Sequence, residues 1–308
     1  MTRLPALVCY VAAIALAQPC ADLRPRLDEV MRALEARDMS QAERVLQLLR
    51  MKSSECPQGT IAAGRIALAK AEYPLADSSS EGALMSASED PDAVFFRGEV
   101  LAMKGQVPAA RELLAKACEL DPRNARAHFQ LGMLFDRMKR NADAVEHFKK
   151  AVMLRPDDPR AHDYLALNLE RIGDSARAEA AYKSGLLVNQ GPLLDSFLNY
   201  NYGRLLLKLN RAEESKGHLD RAVELAPRVR AVRYDHAKMN VRLGRLAEAR
   251  EDAELALKLA DPNGFILDLQ IYNLLSGICT RLGDRVAATR YIELARTATV
   301  PLRSQERY

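Results

Sequence analysis

Five histidines, His128, His147, His162, His218 and His236, are the side chains here best suited to proton transfer or metal ligation near neutral pH. None is followed four residues later by a second histidine, and no His-Glu-x-x-His run occurs, so the helical spacing that brings two imidazoles to one zinc is missing. His128 and His162 stand 34 residues apart. That equal phase lets them approach each other, either as packing residues or as a metal pair. No two of the five cysteines have zinc-site spacing, and the 15 glycines sit singly, so there is no phosphate-cradling loop. A nucleophile with its base, a carboxylate pair in a cleft and a metal cluster are the sets that catalysis needs. None is written here, and the expectation is no enzyme, no metal and no cofactor.

A different chemistry is written in the cations. Arg137, Arg171, Lys208, Arg242 and Arg281 follow one another at intervals of 34, 37, 34 and 39 residues, with Arg204 and Lys238 close by. Cations repeated in this way can hold an acidic segment or a terminal carboxylate by charge-assisted hydrogen bonds. They can also be solvated helix ends, favoured by the helix dipole by about 0.3–1 kcal/mol with no ligand at all.

The elements that position these residues repeat as well. Shifted by 34, Gly98 falls on Gly132, Leu101 on Phe135, Ala110 on Ala144, Leu114 on Phe148, Ala117 on Ala151 and Pro122 on Pro156. Apolar residues recur every three or four positions and are interrupted at Gly105 and Pro108. Each unit therefore reads as two amphipathic helices joined by a tight turn, and the period as a helical solenoid.

"QLGMLF" followed by "ADAVEHFKKAVMLRPDD" resembles the tetratricopeptide repeat (TPR), with small, small, aromatic and Pro residues at fixed offsets. The resemblance implies an all-α, right-handed superhelical solenoid of helix-turn-helix repeats, whose first helices line a concave binding groove. It implies no reaction. In such an array the groove positions lie one, four and five places after the Gly98 equivalent. They hold Glu99, Ala102 and Met103; Met133, Asp136 and Arg137; Leu167, Glu170 and Arg171; Arg204, Leu207 and Lys208; Lys238, Val241 and Arg242; Gly277, Thr280 and Arg281. The position three before holds Phe95, Phe129, Asp163, Tyr200, Tyr234 and Asn273. The Lys and Asn clamp of chaperone-binding family members is therefore not matched. Phe95, Phe129, Tyr200 and Tyr234 either grip apolar side chains of a peptide or pack between helices.

Taken in order, residues 18–90 read as degenerate repeats. The first has stripes of Leu27, Val30, Met31 and Leu34, then Ala42, Val45, Leu46 and Leu49, and turns at Arg37-Asp38-Met39. In the second, Pro74 reads as the stop of an Ala-rich helix, with the partner helix starting near Ser78 to Ser80. Six clear repeats fill residues 91–298. Gly203 comes 37 residues after Ala166, which reads as a three-residue insertion in a loop, and a further displacement lies at Pro262 to Phe265. Residues 299–308 read as a short polar tail.

Arg3 precedes an apolar stretch from Ala6 to Ala17 that ends in Ala15-Leu16-Ala17, the pattern of a secretory signal over residues 1–17. A buried first helix and an uncleaved anchor are the alternatives. Pro19 before Cys20 departs from a lipoprotein signal. Export makes Cys20 and Cys56, which bracket the first hairpin, a candidate disulfide worth roughly 4 kcal/mol in a chain-entropy account; two thiols are the other possibility. Cys118 and Cys279 read as small apolar fillers. The formal charge of +4 with 28% charged residues is too balanced to argue for nucleic acid.

The resulting expectation is an exported, non-enzymatic scaffold in the periplasm or outside the cell. Its groove would bind a protein or peptide segment, an acidic one included, and its mature chain would carry no membrane span. An envelope protein handling an anionic polysaccharide, or recruiting cell-wall machinery, is the second reading.

Overall fold

The computed structural model describes residues 23–52, 56–189, 191–261, 264 and 266–298. Residues 1–17, read above as a secretory signal, Cys20 and residues 299–308 lie outside them. Among the described residues there are sixteen α-helices and no strand. The chain divides into two compact units, one ending at Met138 and the other beginning at Lys139.

The first unit holds α1 (Arg24–Glu35), α2 (Met39–Lys52), α3 (Pro57–Ala69), α4 (Tyr73–Ser86), α5 (Pro91–Met103), α6 (Val107–Leu120) and α7 (Ala125–Arg137). Consecutive helices pack as antiparallel hairpins, α1 with α2, α3 with α4 and α5 with α6. Leu27, Val30, Val45, Leu49, Ile61, Phe96 and Val100 form one core cluster, and Val94, Leu101, Leu114, Leu131 and Leu134 a second. The second unit holds α8 (Asn141–Leu154), α9 (Pro159–Arg171), α10 (Ser175–Val188), α11 (Pro192–Lys208), α12 (Ala212–Leu225), α13 (Arg230–Arg242), α14 (Leu246–Lys258), α15 (Asp268–Leu282) and α16 (Arg285–Thr297). Its hairpins are α9/α10, α11/α12, α13/α14 and α15/α16. Phe148, Tyr182, Leu198, Leu205, Leu206, Leu219 and Met239 are among its large fully buried side chains.

One backbone event recurs at every hairpin turn. Arg37, Ala71, Gly105, Lys139, Gly173, Asn210, Gly244 and Gly283 all have positive φ, between 58° and 86°. At seven of these turns the next residue closes the turn by donating its N–H five residues back, as Gln106 does to Leu101 O at 2.9 Å and Arg211 to Leu206 O at 2.9 Å. This is the bond pattern that ends a helix with a left-handed residue. Four of the eight positions are glycine, and Arg37, Ala71, Lys139 and Asn210 adopt the conformation against the usual steric preference. Gly173 has φ +86°, and a Cβ added there would meet nothing within 4 Å, so strain alone decides its substitution. Gly173→Ala should lower stability by about 1 kcal/mol, read as a shift in urea midpoint with unchanged slope.

Two expectations about boundaries are corrected. Pro74 opens α4 rather than stopping α3, because the first helical turn has no use for the missing N–H. The three extra residues before Gly203 lengthen α11 to 17 residues, against 13 for α9, rather than a loop. Pro192 at the start of α11 and Asp195 in its first turn favour that longer start. The capping role expected of the linkers holds: Asn124 Oδ1 accepts from Ala127 N at 3.0 Å and Asp158 Oδ1 from Arg160 N at 3.0 Å.

Candidate interaction surface

The hairpins carry the cation row on the last turn of each first helix. Three of its members do the same thing. Arg137 donates to Ala102 O at 3.4 Å, Arg242 to Leu207 O, and Arg281 to Val241 O at 3.1 Å. Each guanidinium reaches one repeat back and satisfies a last-turn carbonyl of the preceding first helix. The partner is a neutral carbonyl, so the charge itself is not cancelled. Arg171 is exposed at the same register place.

The other cations are bound by carboxylates. Arg204 donates to Glu170 Oε2 at 3.1 Å, and Lys208 pairs with Glu170 Oε1. The Glu170 side chain is only 7% exposed, and Tyr182 Oη lies 3.5 Å from it. Lys238 Nζ donates to Asp235 Oδ1 at 2.8 Å, and Tyr200 Oη to Asp235 Oδ2 at 2.9 Å. Burial, followed by the Asp235 charge, raises the Tyr200 hydroxyl pKa, so it remains a donor. Asp163 accepts from Asn201 Nδ2 at 3.0 Å, and its burial pushes its carboxyl up to about 6.

The aromatic positions divide. Phe95 is 4% exposed, with the Arg65 guanidinium 5.0 Å from its ring centroid, so it belongs to the packing. Phe129 is half-buried. Tyr200 and Tyr234 are half-buried on α11 and α13, with Arg204 5.9 Å above the first ring and Lys238 5.2 Å above the second. In the second unit, successive first helices thus bring Tyr200, Tyr234, Arg204, Lys208 and Lys238 together with Glu170 and Asp235. Reasoning from repeat position misses the neutralising role of those two carboxylates. A signal is there, since Glu170 precedes Arg204 by one period of 34 and Asp235 precedes Lys238 by one helical turn.

Cys56 is disulfide-bonded, while Cys118 and Cys279 are not in a disulfide; Cys20 is not among the described residues. Neither His128 nor His162 is committed to metal by its contacts, each placing Nε2 against a backbone carbonyl, of Pro122 at 3.3 Å and of Pro156 at 2.8 Å. Among the described residues, no group of three or more His, Cys, Asp and Glu is arranged to hold a metal, and no helix is long and apolar enough to cross a membrane.

Two family models described as tetratricopeptide repeat match the sequence, one over residues 101–169 and the other over 61–125 and 200–264. The chain belongs to the tetratricopeptide-repeat family. That is a family of protein–protein interaction scaffolds. No curated protein matches the sequence. Among solved TPR structures, the fold resembles Cut9–Hcn1 of the APC/C at TM-score 0.66 and 16% identity, covering 81% of this chain but only 48% of that one. It also resembles PilF of Pseudomonas aeruginosa, at TM-score 0.55 and 21% identity over 67% of this chain and 90% of that one. YrrB, described as a TPR protein with an unusual peptide-binding site, aligns at TM-score 0.51 and 17% identity over 60% of this chain and 93% of that one. At these identities the likeness is one of fold.

Proposed function

We propose that this TPR chain is a non-enzymatic scaffold of the cell envelope that binds a protein segment along the first-helix face of α9, α11 and α13. The observation that carries this reading is the set Tyr200, Arg204, Lys208 and Lys238, held in place by Glu170 and Asp235, with Tyr234 under the Lys238 ammonium. The face combines two half-buried rings with donors already oriented by buried acids, and side chains so fixed lose little entropy on binding. The carboxylates also change the expected ligand. Glu170 already offsets the charge of Arg204 and Lys208 and competes with any acidic residue of the partner, so aromatic contact and hydrogen bonding contribute more than bulk charge. The peptide-binding site for which YrrB is described is consistent with a segment lying on a TPR surface.

Export is supported by the Arg3 to Ala17 pattern and by the bonded state of Cys56, which suits an oxidising compartment. We assign Cys20 as the partner of Cys56.

Quantitative cross-linking and co-purification from envelope extract tests the site. Tyr234→Ala with Lys208→Ala should cut recovery of the bound partner by about tenfold, the loss expected for one ring and one cation at an interface. Glu170→Gln should raise recovery of a partner with an acidic contact residue. Unchanged recovery from both variants, with melting curves intact, rejects this face.

A further inference from the structure

We infer that the hairpin tips of α13/α14 and α15/α16 form a second surface, which docks on an anionic lipid membrane. The two tips read Arg242-Leu243-Gly244-Arg245 and Arg281-Leu282-Gly283-Asp284-Arg285-Val286. Four exposed arginines, Arg242, Arg245, Arg281 and Arg285, lie at these turns. Among the described residues none of the four has a carboxylate within ion-pairing distance, since Arg242 and Arg281 bond backbone carbonyls instead. Of the acids at these tips, Asp284 caps α16 through Ala287 N at 3.0 Å and pairs with Arg250 at 3.0 Å, which leaves Glu248 alone against four cations.

The charge is interleaved with apolar surface. Val286 is 84% exposed and Leu282 42%, and the row continues along the same edge at Leu209, 37%, and Ile172, 44%. The adjacency of successive tips is direct, because Arg281 reaches Val241 O across the intervening hairpin boundary at 3.1 Å. A soluble polyanion would be held by the arginines alone and would gain nothing from Val286 and Leu282. A lipid interface suits both kinds of side chain, since headgroup phosphates meet the guanidiniums and the boundary region takes the aliphatic tips. This surface adjoins the Tyr200 and Tyr234 face, since Arg242 reaches Leu207 O beside Lys208, but differs from it in that the cations there are neutralised by Glu170 and Asp235.

Flotation of the full chain with vesicles tests this, using phosphatidylcholine alone and phosphatidylcholine with about one third phosphatidylglycerol. The wild type should float with the anionic vesicles only, and less as salt is raised. Arg245→Glu with Arg285→Glu should reduce the partition coefficient at least tenfold, given about fivefold for each cation near an anionic surface. Leu282→Ser with Val286→Ser should reduce it about fivefold. Circular dichroism melting is recorded for each chain, and Arg245→Gln with Arg285→Gln replaces the charge reversal if that variant does not fold. No flotation of the wild type overturns the proposal. So does equal flotation of all three chains, which would place binding elsewhere, including the shared N-terminal stretch. Loss with the arginine variant alone, together with retention on heparin that the serine variant keeps, would identify a polyanion site and also overturn it.

Discussion

Glu99→Ala should destabilise the first unit by about 3–5 kcal/mol, the usual consequence of leaving a buried charge without its partner. The charge in question is Arg65 on α3, whose side chain is 8% exposed and pairs with Glu99 on α5. The guanidinium lies over Phe95 and Phe96, 5.0 and 4.7 Å from their ring centroids. Gln130 on α7 holds the other oxygen of Glu99 at 3.2 Å, so three successive first helices meet at this one carboxylate. Burial, and then repulsion from Arg126, pull the Arg65 pKa down to about 9. At neutral pH it therefore remains charged, and without Glu99 it would lie against the two rings with the more distant Asp92 as the acid still acting on it. Urea unfolding followed by circular dichroism gives the loss directly. The double change Arg65→Met with Glu99→Leu should recover most of it, because a well-packed apolar pair removes both desolvation penalties. A loss under about 1 kcal/mol for Glu99→Ala would show that water reaches Arg65.

The second unit should lose stability between mildly acidic and alkaline pH, as one imidazolium gives up its hydrogen bonds to two carboxylates. His236 on α13 lies between two carboxylates, with Nδ1 2.5 Å from Asp252 Oδ2 on α14 and Nε2 2.9 Å from Asp220 Oδ1 on α12. Asp252 also accepts from Arg233 at 2.8 Å, and Asp220 from Lys216 at 2.5 Å. Asn240 Nδ2 lies 3.3 Å from Asp252 Oδ2. Burial alone would lower the imidazole pKa, but the bonds to Asp252 and Asp220 outweigh it and the net shift is upward. Only the imidazolium donates to both carboxylates. Because the folded value lies above the unfolded one, the stabilisation is complete below about pH 6.5 and is lost as pH rises through the raised folded value. His236→Gln should flatten stability above neutral pH. Asp163, with its folded value near 6, and His218, whose pKa burial lowers, both titrate on the acid side and do not obscure that window. A profile equally steep in His236→Gln would assign the dependence to another group.

Much of the fold is legible in the sequence because its signals are local. The 34-residue period, the apolar stripes and the small residues at helix contacts all point to one packing solution. Gly105, Gly173 and Gly244 mark their turns, and the structure puts a left-handed residue at each. Ala71 and Lys139 occupy the same conformation without the glycine that announces it, which is why the second repeat is hard to register from its residues. Pro74 misleads for a related reason. A proline excludes a helix interior and favours a first turn, and composition alone does not say which side of it the helix lies on.

The candidate site is half legible. The cations Arg204, Lys208 and Lys238 and the rings Tyr200 and Tyr234 follow from position in the repeat. That Glu170 and Asp235 neutralise those cations, while Arg242 and Arg281 keep their charge, depends on rotamers and on which atoms of adjacent repeats lie within hydrogen-bond reach. The sequence by itself determined the family, the helix pairs and the places where cations and aromatics recur, since repeat packing is a nearest-neighbour problem set by short-range pattern. Only the tertiary structure decided which of those charges are spent within the fold. Electrostatic partnership turns on separations of a few ångströms between side chains on different helices, and the spacing of residues along the chain does not carry that information.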